Sequence, residues 1–549
     1  MPFRSHARRA VSAGGAALAL LVSATAAQGA ALETVVQDDA NLLHRPADQV
    51  MASMTRLSAL GVDRVRLTAN WSTLTREPDA EAPPIFDARD PAAYEQARWA
   101  GLDRAVIAAN AVGLKVLIDL GFWAPHWATD DPPGPRARSN VDPVAYAAFV
   151  EAALRRYSGD FVPPPDAGPA PPPSQDDLFL QNLFGSPQAD PAPFTVPADP
   201  LPRVAQFALW NEPNHPALLL PQWNGTGKAA TPASPGVYRR MITAAVPVAR
   251  AVRPDAELLI GNTSSTGGNA GTGAVAPLRF LRELACVDRK LRPLTTPECA
   301  NFTPIDGDGW AHHPYNRNVR PDTPVNRRMR DDVSVAQLGT LGLLLDRLAR
   351  RGRVAPGLKR VHVTEFGYET VPIPRRPRIS KLTHARWLPW AESIGERQRG
   401  VVSWAQFLLR DQPPAAERVS DSTARPFGQY GTGLDEADGT PKPAALSFVA
   451  GLFARPSGKR NVAIYVRLRL GNNPRTVGIE ERRRRRWRSV ASRPSNGGRA
   501  SRRFSMDGQG SLTRVVPLRR GARYRLVVRR SGEAAFRSLD VGLVRPLKR

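Results

Sequence analysis

Short apolar runs alternate with amphipathic helical patterns along most of this chain. Eight apolar segments have the length of buried strands: Thr34–Gln37, Val62–Asn70, Lys115–Leu120, Val204–Leu209, Glu257–Ile260, Asp308–Ala311, Val361–Thr364 and Val401–Phe407. Helices are predicted between many of them, over Pro46–Ala59, Tyr94–Ala111, Pro143–Tyr157, Tyr238–Val252, Val333–Ala349 and Pro443–Phe453. This alternation predicts parallel strands joined by helices.

Two folds share this alternation, the (β/α)₈ barrel and the doubly wound sheet. No Gly-x-Gly-x-x-Gly sequence follows the first strand, and polar residues stand at the ends of nearly all the strands. In a barrel the strand ends meet at one opening, where catalytic groups are carried. The pattern therefore favours a (β/α)₈ barrel over residues 31–453.

A proline-rich stretch, residues 162–203, interrupts the alternation before the fourth strand. Proline favours stiff, extended segments, so this stretch is predicted to be an insertion rather than a domain. Because it connects a helix to the strand that follows, we expect it on the face opposite the active site.

Residues 455–549 follow a different pattern. Alternating apolar and polar positions at 462–470 and 523–528, with glycine-rich turns, predict a small all-β sandwich. This segment holds 27 Lys and Arg against 5 Asp and Glu, a net charge of +22 out of +26 for the chain. The run Arg482–Arg486 is most simply a solvated surface. The alternative is adhesion to an anionic cell-wall or acidic polysaccharide. Nucleic acid is not expected as a partner, because the charge is not accompanied by a recognisable nucleic-acid-binding module.

The first thirty residues have the pattern of an export signal. Basic residues precede the apolar stretch Ala10–Val22, and Ala24-Thr25-Ala26 offers a cleavage site. The apolar stretch is shorter than the roughly 20 residues that span a bilayer. Residues 1–30 are therefore predicted to be a signal peptide and the protein to be secreted, with no transmembrane segment beyond the signal.

The chain contains two cysteines, Cys286 and Cys299. In an exported protein such a pair predicts a disulfide, and two thiols alone do not make a zinc site. The spacing of the histidines at 126, 215, 312 and 313 matches no zinc motif, so no metal and no cofactor is expected. His312 is as readily a packed core residue as a functional one.

Two glutamates stand at predicted strand ends. Glu212 follows the fourth strand in Trp210-Asn211-Glu212-Pro213-Asn214, and Glu365 follows the seventh. In a barrel both would face one opening, and glycoside cleavage needs two carboxylic acids across a sugar-sized pocket. One must be protonated and the other ionised. A single glutamate at a strand end is more often an ion-pair partner, but this pair in aromatic-rich surroundings favours catalysis.

Both motifs, residues 210–214 and Thr364-Glu365-Phe366-Gly367, resemble the catalytic motifs of clan A glycoside hydrolases, the cellulase and β-xylosidase type. The similarity covers most of residues 33–453. Further matches are Arg66, Pro125-x-Trp127, His313-x-Tyr315, Trp404 and Gly433-Leu434…Lys442-Pro443.

The resemblance implies a retaining mechanism, with Glu212 as general acid/base and Glu365 as nucleophile. It also implies that Asn211 bonds the sugar 2-hydroxyl. Arg66 and Tyr315 would hold Glu365 ionised and oriented.

The same resemblance places Trp404 under a sugar ring as a stacking platform, and it adds His313 to the substrate-binding residues. Trp123 and Trp127 could simply cap the barrel mouth, but aromatic loop residues beside a carbohydrate site usually stack on the sugar, so Trp127 is also expected to bind substrate. The sequence thus predicts a secreted retaining glycosidase acting on a β-linked poly- or oligosaccharide. The alternatives are a non-catalytic glycan- or cell-wall-binding protein that keeps the barrel, and a wall adhesin whose main part is the C-terminal module.

Overall fold

The computed structural model describes residues 32–165, 171–184, 197–324, 328–370, 378–412, 430–469, 476–491, 501–507, 510–529 and 535–544. The predicted signal peptide, residues 1–30, lies outside the described residues. Within them, no helix combines the length and the apolar character needed to cross a membrane.

Eight parallel strands close into a barrel. They are β1 (Glu33–Gln37), β2 (Arg64–Ala69), β3 (Lys115–Leu120), β4 (Gln206–Leu209), β5 (Glu257–Ser264), β6 (Gly309–His313), β7 (Val361–Val363) and β8 (Val401–Phe407). Each strand is hydrogen-bonded to the next in chain order, and β8 closes onto β1. The predicted (β/α)₈ barrel is confirmed.

Helices surround this barrel. They are α1 (Asp39–Leu42), α2 (Ala47–Ala59), α3 (Trp71–Leu74), α4 (Gln96–Ala111), α5 (Pro143–Arg156), α6 (Gln175–Phe184), α7 (Ser234–Val252), α8 (Pro277–Leu284), α9 (Leu338–Arg350), α10 (Lys381–Glu396) and α11 (Pro443–Val449). The sequence pattern does not predict α6, α8 or α10. α8 is only 8 residues long, and α10 contains Pro389, which usually ends a helix.

The barrel has two apolar layers. A small inner cluster, Leu117, Ala208, Leu259 and Ala311, fills the lower interior of the barrel. A much larger core lies between the strands and the helices. The upper interior instead holds polar side chains, Arg66, Asp119 and His313 among them, all fully buried. The charged groups therefore gather beneath the C-terminal opening.

The C-terminal residues form two antiparallel sheets. Their main strands are β9 (Ala450–Ser457), β10 (Asn461–Leu468), β11 (Thr476–Arg483), β12 (Arg486–Ser489), β13 (Ser511–Pro517) and β14 (Arg523–Val528). β9, β10 and β13 form one sheet, and β12, β11 and β14 belong to the other. Apolar residues of both sheets share one core. The predicted sandwich is confirmed, but it begins at Ala450, so the predicted closing helix over Pro443–Phe453 is too long.

The sandwich docks on the barrel through β10. The pattern predicts Arg467 and Arg469 on an exposed face, yet both are buried and surround the buried carboxylate of Glu392 on α10. Arg467 also donates to the carbonyl oxygen of Leu32 at 2.7 Å, and Arg469 to Thr34 Oγ1 at 2.9 Å. Leu32 and Thr34 lie at the start of β1. The sandwich therefore covers the N-terminal side of the barrel, away from the strand ends that carry Glu212 and Glu365.

The expected position of the proline-rich stretch, residues 162–203, is wrong. Its helix α6 lies at the C-terminal face, where the Asp176 carboxylate accepts a hydrogen bond from the hydroxyl of Ser72, just beyond β2. Leu180 packs against Trp123, just beyond β3. The expectation failed because contacts with residues distant in the sequence, Ser72 and Trp123, hold α6 at this face.

Cys286 and Cys299 are joined in a disulfide, as predicted, with their Cα atoms 5.6 Å apart. The bond closes the loop that follows α8. Beside it, Arg239 of α7 donates to the carbonyl oxygen of Leu284 at the end of α8 at 2.9 Å and to that of Glu298 in the loop at 3.1 Å, so the loop is also fixed to its neighbouring helix.

Candidate active site

Glu212 sits in a tight turn after β4. Trp210 and Glu212 have positive φ angles, 67° and 39°, which non-glycine residues adopt at a cost. The turn is held from both sides, because the amide of Glu212 donates to the carbonyl oxygen of Asn262 at 3.0 Å. Gly121 leaves room for the indole of Trp210, since any Cβ there would meet the ring. This packing fixes the carboxyl group of Glu212 over the barrel.

Glu365 is held by two donors. Arg66 Nη1 lies 2.6 Å from Glu365 Oε1, and the Tyr315 hydroxyl donates to Oε2 at 3.1 Å. Arg66 is fully buried, and Asp119 and Glu365 raise its pKa against the opposing effect of burial. The guanidinium and the hydroxyl, one on each oxygen, fix the orientation of the Glu365 carboxyl group. The same guanidinium also contacts Gln37.

His313 links Glu212 to a buried amide. Its Nδ1 lies 2.8 Å from Glu212 Oε1, and its Nε2 lies 3.0 Å from Asn262 Oδ1. Asn262 Nδ2 donates to the carbonyl oxygen of Trp210 at 3.0 Å and to Asp119 Oδ1 at 2.9 Å. The amide oxygen must therefore face His313 and accept a hydrogen bond from Nε2–H.

One consequence is that a single proton lies between His313 Nδ1 and Glu212 Oε1. Either the carboxylic acid donates to the ring or the ring donates to the carboxylate. Burial raises the pKa of Glu212, but the hydrogen bond and the charge of His313 outweigh it, so the pKa is lowered. Glu212 lines the cavity and His313 does not, so Glu212 is the group through which the shared proton can reach a ligand.

Asn211 presents a donor to the opening. Its Oδ1 accepts from Arg66 Nη2 at 2.9 Å and from Asn262 Nδ2 at 3.2 Å. With the oxygen occupied, the Nδ2 group faces the cavity that Asn211 lines with Glu212 and Glu365. The amide can therefore donate to a ligand hydroxyl beside both carboxyl groups.

Asp119 lies beneath these groups on β3. Burial raises its pKa to about 7, although the charge of Arg66, whose Nη2 is 2.8 Å from Asp119 Oδ2, acts in the opposite direction. Its other oxygen accepts from Asn262 at 2.9 Å. Asp119 therefore contacts both Arg66, which binds Glu365, and Asn262, which contacts the His313 ring beside Glu212.

The cavity above the two glutamates has a volume of about 260 Å³. This is near the lower end of small-molecule sites, about 300–1,000 Å³. Its rim carries the aromatic side chains of Phe122, Phe407 and Tyr430, and polar ones that include His215 and Glu369. Aromatic rims around a polar floor suit rings that have one apolar face and many hydroxyls.

The structure thus brings together Arg66, Asn211, Glu212, His313, Tyr315 and Glu365. Trp127 and Trp404 lie elsewhere. Trp404 points outward from β8 and packs against Gly395 of α10, so its expected role as a stacking platform is wrong. Trp127 is half-buried against Trp71, with ring centroids 5.9 Å apart, and does not line the cavity.

Several residues of the site were missed by sequence reasoning. Asn262 has a positive φ of 45° directly after Gly261, and this turn lies in a stretch that reads as a glycine- and serine-rich loop. Asp119 is the one acidic residue in the apolar run Lys115–Leu120, and that signal was available. His312, in contrast, is a core residue that bonds to Thr263 Oγ1 and to a carbonyl oxygen, and burial lowers its pKa to about 4.

Glu212, His313 and Glu365 each place one ligand atom within 4.8 Å of the others, a spacing that could hold a metal ion. Arg66 Nη1 is already 2.6 Å from Glu365 Oε1. A metal cation bound there would lie beside a fixed guanidinium charge, which opposes its binding. Proton transfer therefore suits the three side chains better than metal coordination.

No protein-family model matches the chain, and no curated protein matches it. Among solved structures it is similar to an exo-β-1,4-mannosidase from Opitutaceae bacterium strain TAV5, with 15% identity and a TM-score of 0.39, over 77% of this chain and 59% of that one. An endo-β-1,4-mannanase from Thermotoga petrophila has 12% identity and a TM-score of 0.35, over 94% and 99%.

A third similar structure is a GH5_18 protein from Streptomyces cattleya in complex with GlcNAc. It has 15% identity and a TM-score of 0.40, over 76% of this chain and 78% of that one. At these values the similarities add nothing to the site geometry, on which the functional conclusion rests.

Proposed function

We propose that this protein is a retaining glycoside hydrolase acting on a β-linked poly- or oligosaccharide. One observation carries the proposal: two carboxyl groups face one cavity, an oxygen of each lies within 4.8 Å of the other, and their neighbours differ. Arg66 and Tyr315 act on Glu365, whereas Glu212 shares a proton with His313. These different neighbours support the division into an attacking and a proton-donating carboxyl group that glycoside cleavage requires.

The short distance between the glutamates favours retention over inversion. Retaining enzymes have carboxyl groups about 5–5.5 Å apart, whereas inverting enzymes keep them about 6.5–9.5 Å apart to admit a water. The spacing of the two glutamates supports direct attack on the sugar by a carboxylate.

In the first step, a carboxylate oxygen of Glu365 attacks the anomeric carbon and the bond to the leaving oxygen breaks. Glu212 delivers to that oxygen the proton it shares with His313. In the second step, water attacks the anomeric carbon and gives one proton to the Glu212–His313 pair. The bond between Glu365 and the sugar breaks as the water oxygen bonds to the anomeric carbon, which restores both groups. Asn211 Nδ2 donates to the neighbouring 2-hydroxyl.

Replacing Glu365 by alanine tests this assignment. On an aryl β-glycoside that the wild type hydrolyses, Glu365→Ala should lose at least about 1,000-fold in kcat/KM. Added azide should then restore turnover and yield the α-glycosyl azide, because the small anion occupies the vacated side. The product is identified by mass spectrometry and NMR. Wild-type rates in this variant would refute the proposal.

We also propose that the protein is secreted, because residues 1–30 have the pattern of an export signal. A second proposal is that the sandwich binds an anionic wall polysaccharide. The β11–β12 hairpin supports the second proposal, because Arg482 and Arg484–Arg486 are exposed and Arg484 occupies a turn position with φ of 53° that usually takes glycine or asparagine. Arg525 stacks over Trp487 on the same sheet, 4.1 Å from the ring centroid. Retention on an anionic polysaccharide that does not fall with added salt would contradict this role.

A further inference from the structure

A second cavity adjoins the catalytic one beside β1 and β2. Its volume is about 490 Å³, and Asp39 and Phe122 line both cavities. The side chains of Asp39 and Phe122 therefore lie between the two cavities. A ligand long enough to leave the catalytic cavity past Phe122 would enter this second space.

The proline-rich insertion builds the outer wall of the second cavity. Pro171–Pro173 and Gln181 line it, opposite Thr73 of α3. Arg98 of α4 fixes this wall, since it donates to the carbonyl oxygen of Pro172 at 3.2 Å and lies 3.4 Å from Asp177 Oδ2. The insertion therefore has a defined position against the barrel at this point.

Asn70 lines the second cavity and carries a donor that is unpaired among the described residues. It follows β2, and its side chain is 5% exposed. Its Oδ1 accepts from Ser72 Oγ at 3.3 Å and from the amide of Trp123 at 3.4 Å. Its Nδ2 is buried and has no hydrogen-bond partner in the part of the chain that the structure describes. A buried donor without a partner is costly, and a ligand hydroxyl would satisfy it.

Asp39 offers the complementary acceptor at the boundary of the two cavities. Its Oδ2 accepts from Thr68 Oγ1 at 2.6 Å and from Gln37 Nε2 at 3.2 Å. A carboxylate has about four lone-pair sites, so further acceptor capacity remains. An amide donor and a carboxyl acceptor, with the ring of Phe122 between the cavities, together match the hydroxyls and the apolar face of a sugar.

We propose that this second cavity is a binding subsite for a further sugar unit of the glycan chain. Asn70 and Asp39 hold its hydroxyls, and the insertion encloses it from outside. The inference rests on the proposed function, because it assumes that the catalytic cavity binds the adjoining unit. It makes the preferred substrate an oligosaccharide that fills both cavities rather than a simple glycoside.

The test compares kcat/KM for an aryl β-monoglycoside with kcat/KM for the tetrasaccharide of the same sugar. In Asn70→Ala, the ratio of tetrasaccharide to monoglycoside should fall about tenfold, the effect of one lost hydrogen bond of roughly 1.4 kcal/mol. Gln181→Trp, which fills the cavity from the opposite wall, should lower the same ratio. The exposed Asn301→Ala is the matched control and should change the ratio less than twofold. Thermal denaturation confirms that each variant folds.

An unchanged ratio in both cavity variants overturns the subsite, and shows that the space holds only water. Equal losses on both substrates also overturn it, because the effect would then be structural. A wild type that hydrolyses no glycoside is a different result, since it rejects the proposed function and the subsite with it. A falling ratio in both variants, with the control unaffected, supports the subsite.

Discussion

At the scale of residues, the two glutamates differ only through their neighbours. Both lie at strand ends and line the same cavity. Glu365 contacts a guanidinium, and Glu212 contacts an imidazole. Asp119 connects these two supports, through Arg66 on one side and Asn262 on the other. The roles of the two glutamates therefore depend on the hydrogen-bonded residues that join them. We expect substitutions at Asp119 or Asn262 to alter catalysis although neither residue contacts the sugar.

Asn262 gives the clearest case. Asn262→Ala removes the oxygen that accepts a hydrogen bond from His313 Nε2. The orientation of the ring, and the nitrogen that carries its proton, are then no longer fixed beside Glu212. We expect kcat/KM to fall about 10- to 100-fold, as for other losses of positioning. The pH dependence of kcat/KM should also shift, because the shared proton loses its fixed partner. Steady-state kinetics between pH 4 and pH 9 measure both effects.

The exposed residue Asn110 on α4 provides the matched control, and Asn110→Ala should leave both the rate and the pH profile unchanged. A merely structural role for Asn262 would lower thermal stability and the amount of active protein while the pH profile stayed that of the wild type. That result would contradict the positioning role.

The catalytic pair could be predicted from the sequence, whereas the stacking residue could not. A glutamate after an apolar strand is visible as a polar interruption, and Glu212 and Glu365 are two such interruptions. Trp404 stands in a strand that is buried on nearly every side. Parallel strands buried on both faces lack the alternation that distinguishes inward from outward positions. The sequence therefore does not show that Trp404 faces α10 and that Phe407 faces the cavity.

At the scale of elements, the barrel followed from the alternation of apolar runs and helices, a local signal repeated along the chain. The helix α10 was hidden by Pro389, and α8 by its length of 8 residues. The insertion was misplaced because its position depends on distant contacts, such as Asp176 with Ser72, which no local pattern contains. These contacts bring residues 171–184 to the catalytic face, where they can affect the substrate.

At the scale of the whole molecule, the sandwich is part of the folded unit rather than a removable module. Its β10 covers the N-terminal side of the barrel and buries the charge of Glu392 between Arg467 and Arg469. Trp390 of α10 stacks on Phe453 of β9, with ring centroids 5.1 Å apart. Deletion of residues 450–549 would expose these groups and is therefore a poor test of wall binding.

Glu392→Ala tests the docking. The change leaves two buried guanidinium groups without their carboxylate, which typically costs about 3–5 kcal/mol. We expect the midpoint of thermal unfolding to fall by several degrees, while kcat/KM at 25 °C stays that of the wild type because the interface lies on the side of the barrel away from the site. Differential scanning calorimetry and steady-state kinetics measure the two outcomes.

Asp346→Ala, which breaks the Asp346–Arg350 pair on the surface of α9, is the control and should cost no more than about 1 kcal/mol. If Glu392→Ala were as mild as this control, the sandwich would not depend on the buried pair. A loss of activity in a folded Glu392→Ala variant would instead show coupling between the interface and the site.

The anomeric form of the first product tests directly whether Glu212 and Glu365 act as a retaining pair. The wild type is mixed with the aryl β-glycoside that it hydrolyses fastest, and ¹H NMR spectra are recorded before mutarotation. We predict that the β-hemiacetal appears first and the α form only later, because two successive displacements at the anomeric carbon retain its configuration. Initial release of the α-hemiacetal would contradict the account.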